Sequence, residues 1–422
     1  MSGQFIIRLI YNCIIVIAYE NIYTHRRKFL IMNSFTYCSP TKIIFGADTA
    51  KSTGREVKES GGKNVLIFYG GGSVVKSGLL KTVTDSLDAE GIKYTSVGGV
   101  VPNPLLEFAQ DTVDKYKNDN IDFVLAVGGG SVIDTAKAVA LGLKSPNIPV
   151  WDFVCLKAEI KDALPVGVVV TIAAAGSESS NSFVLTNQAA GIKRGVKSDI
   201  SRPKFAVMDP VLTYTTPQPH TAAGVIDIFM HVLDRYFAPD HGNDVTDGIS
   251  EALMRVVIKH GKIVKDNPTD YKARAELFWA GSLAHNGLTG LGQVMDFSVH
   301  QLGAPLSAKF DTSHGMSLSA TWPAWAKYVY KHDVARFAKY ARSVFDINIA
   351  DDEKAALAGI DATVEFFRAV GCPVTISEAA PELAKEDVDE LVDICTFRGA
   401  RTIGFFKTLD GNDIRNIYLA AL

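Results

Sequence analysis

The sequence is poor in most of what marks a specialised class. Only five cysteines (Cys13, Cys38, Cys155, Cys372, Cys395) are scattered over 422 residues, with no CxxC among them. That excludes a disulfide framework and a thiolate zinc site, and it reads as reduced thiols in a cytoplasmic protein. Charge of one sign is lacking too. A net charge of −3 excludes the basic surface that nucleic acid demands. There is no low-complexity tract, and no clean apolar run of the roughly 20 residues that a membrane helix needs. Histidine is scarce, at nine. What remains is 47% hydrophobic and 21% charged, a globular chain long enough for two cores.

The first 31 residues stand apart. Phe5 to Tyr19 is apolar but interrupted by Arg8 and Asn12, and the basic stretch Thr24 to Lys28 follows without a small-residue cleavage site. Arg26-Arg27-Lys28 is what a purine-rich ribosome-binding stretch spells in frame, shortly before Met32. The expectation is an extension outside the native protein, with translation starting at Met32. An intact mass from the native source that includes residues 1–31 would overturn it.

From Lys63 to about Asp209 short apolar runs alternate with amphipathic helices. Strands are expected at 64–69, 94–97, 123–127 and 165–171, and helices at 75–89, 105–118 and 132–143. Strand, glycine turn, helix, repeated, is the doubly wound, Rossmann-like α/β pattern. After Pro210 the strand signals nearly vanish, and helices are expected at 221–237, 246–264, 272–288, 318–328, 333–345, 352–370 and 385–395. The expected organisation is therefore an α/β domain over 32–210 and an all-α domain over 211–422, with a ligand in the cleft between them.

Within the helical half, Asp227 and His231 are four residues apart, so one helix face carries both. His300 and His314 follow. An Asp–His pair at this spacing is more often a hydrogen-bonded surface pair than a ligand pair. Three imidazoles and one carboxylate, however, are a natural shell for a catalytic divalent transition metal with an open position.

Two glycine turns lie upstream. Gly128-Gly129-Gly130-Ser131 joins a strand to a helix, where missing Cβ atoms let a phosphate approach free N–H groups. Asp134 could cap that helix or contact the ligand. Gly70-Gly71-Gly72-Ser73 ends the earlier strand and holds no acid, with Lys76 nearby. An acid at such a place repels a 2′-phosphate, so its absence favours NADP over NAD. Either turn alone is also an ordinary βα connection.

Together these segments resemble the iron-dependent (group III) alcohol dehydrogenases, most closely the butanol dehydrogenase-like branch. The matching pieces run in order: Ser39–Gly46, Tyr69–Ser73, Val101-Pro-Asn-Pro104, Gly128–Asp134, Ala175–Glu178, Asp209-Pro210, Gly224–His231, Val299-His300 and Ser313-His-Gly315. The resemblance implies a dinucleotide-binding α/β domain, a helical domain and an active site between them. It puts Asp227, His231, His300 and His314 on the four metal-ligand positions, usually filled by Fe(II) and sometimes by zinc or nickel. It puts Gly70 to Ser73, Asn103, Gly128 to Ser131, Asp134, Thr171, Ser177 and Lys193 along the cofactor. Two departures stand out. Many members carry a second histidine four residues after His300, where this chain has Ala304, and a threonine before Gly176, where it has Ala175. The first removes a proton relay and a polar wall of the substrate pocket.

The implied chemistry is hydride transfer between NAD(P) and a small primary alcohol or aldehyde, in a homodimer or larger homo-oligomer. Phe297, Trp279 and Trp325 are candidates for an apolar substrate wall, although each could equally be core. A metal-dependent hydrolase remains an alternative, but it leaves both glycine turns unused. A nucleotide-binding relative with altered catalysis, marked by Ala304, is the other.

Overall fold

The computed structural model describes residues 32–239 and 243–422, so the reading of residues 1–31 lies outside it. Eight strands are described: β1 (Lys42–Phe45), β2 (Asn64–Tyr69), β3 (Lys93–Val97), β4 (Phe123–Gly128), β5 (Val166–Val170), β6 (Ser182–Asn187), β7 (Ile192–Lys197) and β8 (Phe205–Met208). Six of them form one parallel sheet in the order β1-β8-β5-β4-β2-β3. β4 (FVLAVG) and β5 (VGVVV) are buried along their whole length, as expected for central strands covered on both faces. The helices α1 (Thr53–Glu59), α2 (Ser73–Lys76), α3 (Leu79–Ala89), α4 (Leu106–Tyr116), α5 (Gly130–Lys144) and α6 (Val150–Val154) accompany this sheet.

The order of the sheet decides where a ligand can go. The chain steps outward from β2 to β3, then crosses back to lay β4 on the other side of β2. The crevice between the carboxyl ends of β2 and β4 is therefore the topological switch point. The turns at Gly70 and Gly128 both open there.

Several elements depart from the sequence expectations. The single helix expected at 75–89 is broken into α2 and α3, because Gly78 adopts a left-handed φ of 80° between them. β1, β8 and the antiparallel β6–β7 hairpin were not anticipated. The hairpin leans on α5 on one side and on the helical half on the other.

The second half comprises α7 (Gln218–Tyr236), α8 (Asp244–Asp266), α9 (Tyr271–His285), α10 (Ser298–Phe310), α11 (His314–Val329), α12 (Val334–Phe345), α13 (Asp352–Val370), α14 (Ile376–Ala379), α15 (Val388–Thr396) and α16 (Gly411–Ala421). α7 is the axis of this half, and every residue from Thr221 to Tyr236 is buried. A helix buried all round, with Thr221, Asp227, His231, Asp234 and Arg235 as polar exceptions, is a core helix whose few polar groups need partners. α10 has no counterpart in the expectations, and Pro305 inside it interrupts the helical pattern. Among the described residues no helix is long and apolar enough to cross a membrane.

Candidate active site

α7, α10 and α11 converge on one point. α11 starts at His314, and Gly315 lets it press against α7: a Cβ there would meet the Ala223 carbonyl oxygen at 2.0 Å. Asp227, His300 and His314 each offer a ligand atom, and these atoms lie within 4.8 Å of one another. Asp227 Oδ1 is 3.7 Å from His314 Nε2 and 3.9 Å from His300 Nε2. Both Asp227 Oδ1 and His300 Nε2 are buried without a hydrogen-bond partner. A carboxylate oxygen and bare imidazole nitrogens aimed at one spot are what a divalent transition metal satisfies, so the residues fit such an ion.

The expected fourth member, His231, touches Asp227, with Nδ1 3.0 Å from Oδ1, but stands outside the three-residue cluster. Its Nδ1 is 2.8 Å from the Asp227 main-chain oxygen, and its ring centroid is 4.6 Å from that of His300. The structure thus brings together three of the four predicted ligands and sets the fourth against them. If Nδ1 donates to the carbonyl, Nε2 is left bare, the tautomer a ligating histidine needs.

Two supporting residues were missed by the sequence reading. Asp234 accepts from His300 Nδ1 at 2.7 Å and from the His300 main-chain N–H at 3.2 Å, which fixes the ring and leaves Nε2 facing Asp227. The signal was available, because Asp234 extends the Asp227–His231 face by another turn of α7. His285 lies against His231 with ring centroids 4.1 Å apart, and its Nδ1 bonds the Ala175 carbonyl. No local spacing announces it.

Burial drives His285, His300 and His314 well below the ordinary histidine range, toward the neutral form that binds metal. For Asp227 burial acts upward, but His231, His314 and His300 together hold the carboxyl well below its usual range. Of the three aromatics expected as a substrate wall, Phe297 alone is here, 5.1 Å from the His300 ring and under the Arg235 guanidinium at 4.7 Å. Trp325 is core, packed with Phe237 and Phe406, and Trp279 is surface-exposed beside Phe45.

At the switch point the sheet presents its glycines. A Cβ on Gly128 would meet Val132 at 2.6 Å and one on Gly129 would meet Ile172 at 2.5 Å, so the backbone there lies bare against its neighbours. Gly129 is the N-cap of α5, and the Gly130 and Ser131 N–H groups open that helix. Thr171 N–H donates to the Gly128 carbonyl at 3.1 Å, and Ser177 is buried beside Gly130. Gly72 holds a φ of 109° ahead of the exposed Ser73. Asp134 does not cap α5. Its Oδ2 accepts from Val184 N–H in the hairpin at 3.0 Å, and burial lifts its pKa to about 6 against the pull of Lys137.

Lys193 joins the two regions. Its Nζ donates to Asn103 Oδ1 at 2.9 Å, and Asn103 Nδ2 donates to Asp311 Oδ1 at 2.9 Å across the two halves. Burial draws Lys193 down to about 8, opposed by Asp227, Asp134 and Asp311. One amine thus senses Asp227 of the histidine cluster and Asp134 of α5 behind the Gly128 turn.

Comparison with known proteins follows this geometry. The family model for iron-containing alcohol dehydrogenase matches residues 40–210, and the model for the C-terminal part of the Fe-containing alcohol dehydrogenase family matches residues 221–422. The chain is 36% identical over 389 residues to NADH-dependent butanol dehydrogenase A of Clostridium acetobutylicum, covering 92% of this chain and 99% of that one. It is 36% identical over 352 residues to the NADPH-dependent aldehyde reductase YqhD of Escherichia coli, covering 82% and 89%. Among solved structures, NADH-dependent butanol dehydrogenase A of Thermotoga maritima superposes with a TM-score of 0.89 at 35% identity, covering 92% and 99%. The chain belongs to the iron-containing alcohol dehydrogenase family.

Proposed function

We propose that this enzyme interconverts small primary alcohols and aldehydes with NADP(H) as the preferred carrier, and that Fe(II) is its ion. The observation that carries the reading is the meeting of an Asp227–His300–His314 cluster with the glycine turns of a switch point, joined by Lys193. A hydrolase would leave those turns without a role. The proposed organisation is a dinucleotide-binding domain over 32–210 and a metal-binding domain over 211–422.

Asp227, His231, His300 and His314 would hold the ion. It supplies Lewis-acid polarisation of the substrate oxygen, while the nicotinamide supplies or accepts hydride. The chain does the rest. The Gly128–Ser131 turn and the start of α5 receive the pyrophosphate. Gly70 to Ser73, Asn103, Thr171, Ser177 and Lys193 line the remainder of the carrier, and Asp134 braces the hairpin that presents Lys193. Asp234 orients His300, and Phe297 shields the ligands. With alanine at 304, no imidazole at that position moves the substrate proton, which leaves through water or the ribose hydroxyls.

The test is NADPH oxidation with butyraldehyde after Fe(II) loading. Turnover should be abolished by a chelator, restored by Fe(II), and reduced by about 100-fold or more in His300→Ala. Full activity in that variant would remove His300 from the ligand set.

A further inference from the structure

An opening of about 260 Å³, much of it continuous with solvent, lies between the β6–β7 hairpin, α10 and the turn after α15. Lys193, Gln301, Ala304, Phe397 and Arg401 are among its lining residues. Gln301 and Ala304 follow His300 by one and four residues on α10, so the cavity begins within one turn of a metal ligand. Lys193 is common to both places, for His300 and His314 each feel its charge.

The lining is cationic and holds no acid. The Arg401 guanidinium lies 3.9 Å over the Phe397 ring, and Arg194 lies 5.8 Å from the same ring. Phe397 is itself fixed in a left-handed conformation, φ 53°, at the end of α15. The Arg401 main-chain N–H donates to the Thr396 carbonyl at 3.1 Å, and its side chain makes one hydrogen bond, from Nε to the Cys395 carbonyl at 3.0 Å, which closes that helix. Among the described residues its terminal nitrogens have no acceptor, and neither Arg401 nor Arg194 has a carboxylate within ion-pair distance. The groups acting on Arg401 besides burial are Cys395, Arg194 and Tyr418, none of them a carboxylate. A guanidinium fork kept half-buried without a counter-ion, next to a second cation, fits a ligand that brings the anion. A purely structural role accounts for Nε and for the stack on Phe397, but leaves the terminal N–H groups of the fork without an acceptor.

We infer that this cavity is the subsite for a carboxylate on the substrate, so that the preferred aldehyde is a short oxo acid and the alcohol a short hydroxy acid. The inference rests on the oxidoreductase reading above and narrows its substrate class. Lys193 and Arg401 receive the charged end, Ala304 leaves room for the carbon chain, and the reacting carbon faces the histidine cluster.

The experiment compares butyraldehyde with succinic semialdehyde, equal in chain length, in the Fe(II)-loaded protein with NADPH and in its Arg401→Gln and Arg401→Lys variants. Calorimetric binding of succinate, which cannot react, is measured alongside. The wild-type kcat/KM should favour the charged aldehyde by about tenfold or more. Arg401→Gln should erase that preference through KM and abolish succinate binding, and Arg401→Lys should restore part of both. A wild-type ratio near one, or an equal loss on both aldehydes in Arg401→Gln, overturns the inference. If neither aldehyde turns over but succinate binds in an Arg401-dependent way, the oxidoreductase reading fails and the anion subsite stands. If neither turnover nor binding is seen, both fail.

Discussion

Asp234 makes no contact with a ligand-binding point, yet two of its bonds hold His300 in place. Removing the acceptor charge frees that ring, and such supports typically change metal affinity by about 10- to 100-fold. Asp234→Asn should weaken Fe(II) or Zn(II) binding to that degree in a chelator competition, with the far-UV spectrum unchanged. At the other end of the cleft, Gly71 has ordinary φ and open space around its missing Cβ. Gly71→Asp therefore installs an acid at the proposed carrier-binding turn without strain, and the ratio of kcat/KM for NADPH over NADH should fall by about tenfold or more. An unchanged ratio would put the 2′-phosphate elsewhere. Residue identities were the most legible part of the site, since scarce histidines and one helical spacing named the metal-site candidates. What escaped was long-range: His285 reaches His231 only because α9 folds back onto α7. That His231 touches Asp227 yet stands outside the three-residue cluster is likewise a matter of packing.

Elements were legible where their period was clean. β2, α13 and the central strands fall close to expectation, because buried runs and amphipathic repeats are local signals. α10 escaped since Pro305 breaks its pattern and its start at Phe297 is left-handed, φ 56°. β1 and β8 are four-residue strands, too short to show a period, and they exist by pairing with each other and with β5. Two predictions belong here. Gly315→Ala forces α11 off α7, at a cost of about 1–3 kcal/mol, and should lower both Tm and metal affinity because His314 moves with the helix. The second concerns Asp247 of α8, which binds Arg336 of α12 at 2.7 Å while Arg336 covers the Tyr236 ring that ends α7. Burial acts upward on Asp247, but Arg336 and Lys339 prevail and hold it at about 2, against an ordinary 3.8. Its folded pKa is the lower one, so the stabilisation is complete above about pH 4 and is lost as pH falls through about 2. Asp247→Asn should cost about 3–5 kcal/mol at neutral pH and flatten the acid limb of the unfolding curve between those values.

At the scale of the whole molecule the two halves are joined by few polar links and one shared cleft. Glu178, from the loop after β5, receives a hydrogen bond from Ser282 of α9, and Arg202 Nη1 donates to the Asn286 carbonyl at 3.5 Å. Nearer the site, Asp311, Asn103 and Lys193 form a chain that runs from the end of α10, through the loop before α4, to β7. The division into an α/β half and a helical half could be read from where strand signals cease. The contacts that close the cleft could not, because each pairs residues far apart in sequence. The Asp311–Asn103 bond is exposed, so its loss should barely affect the fold, yet it steadies the acceptor of the one lysine shared by both sites. A bond of this kind is worth about 1 kcal/mol, equivalent to about fivefold in affinity. Asp311→Ala should therefore raise the NADPH dissociation constant by about that factor in a calorimetric titration, with Tm unchanged. A fall in Tm with unchanged NADPH affinity would instead make the chain a structural tie, with no part in holding the carrier.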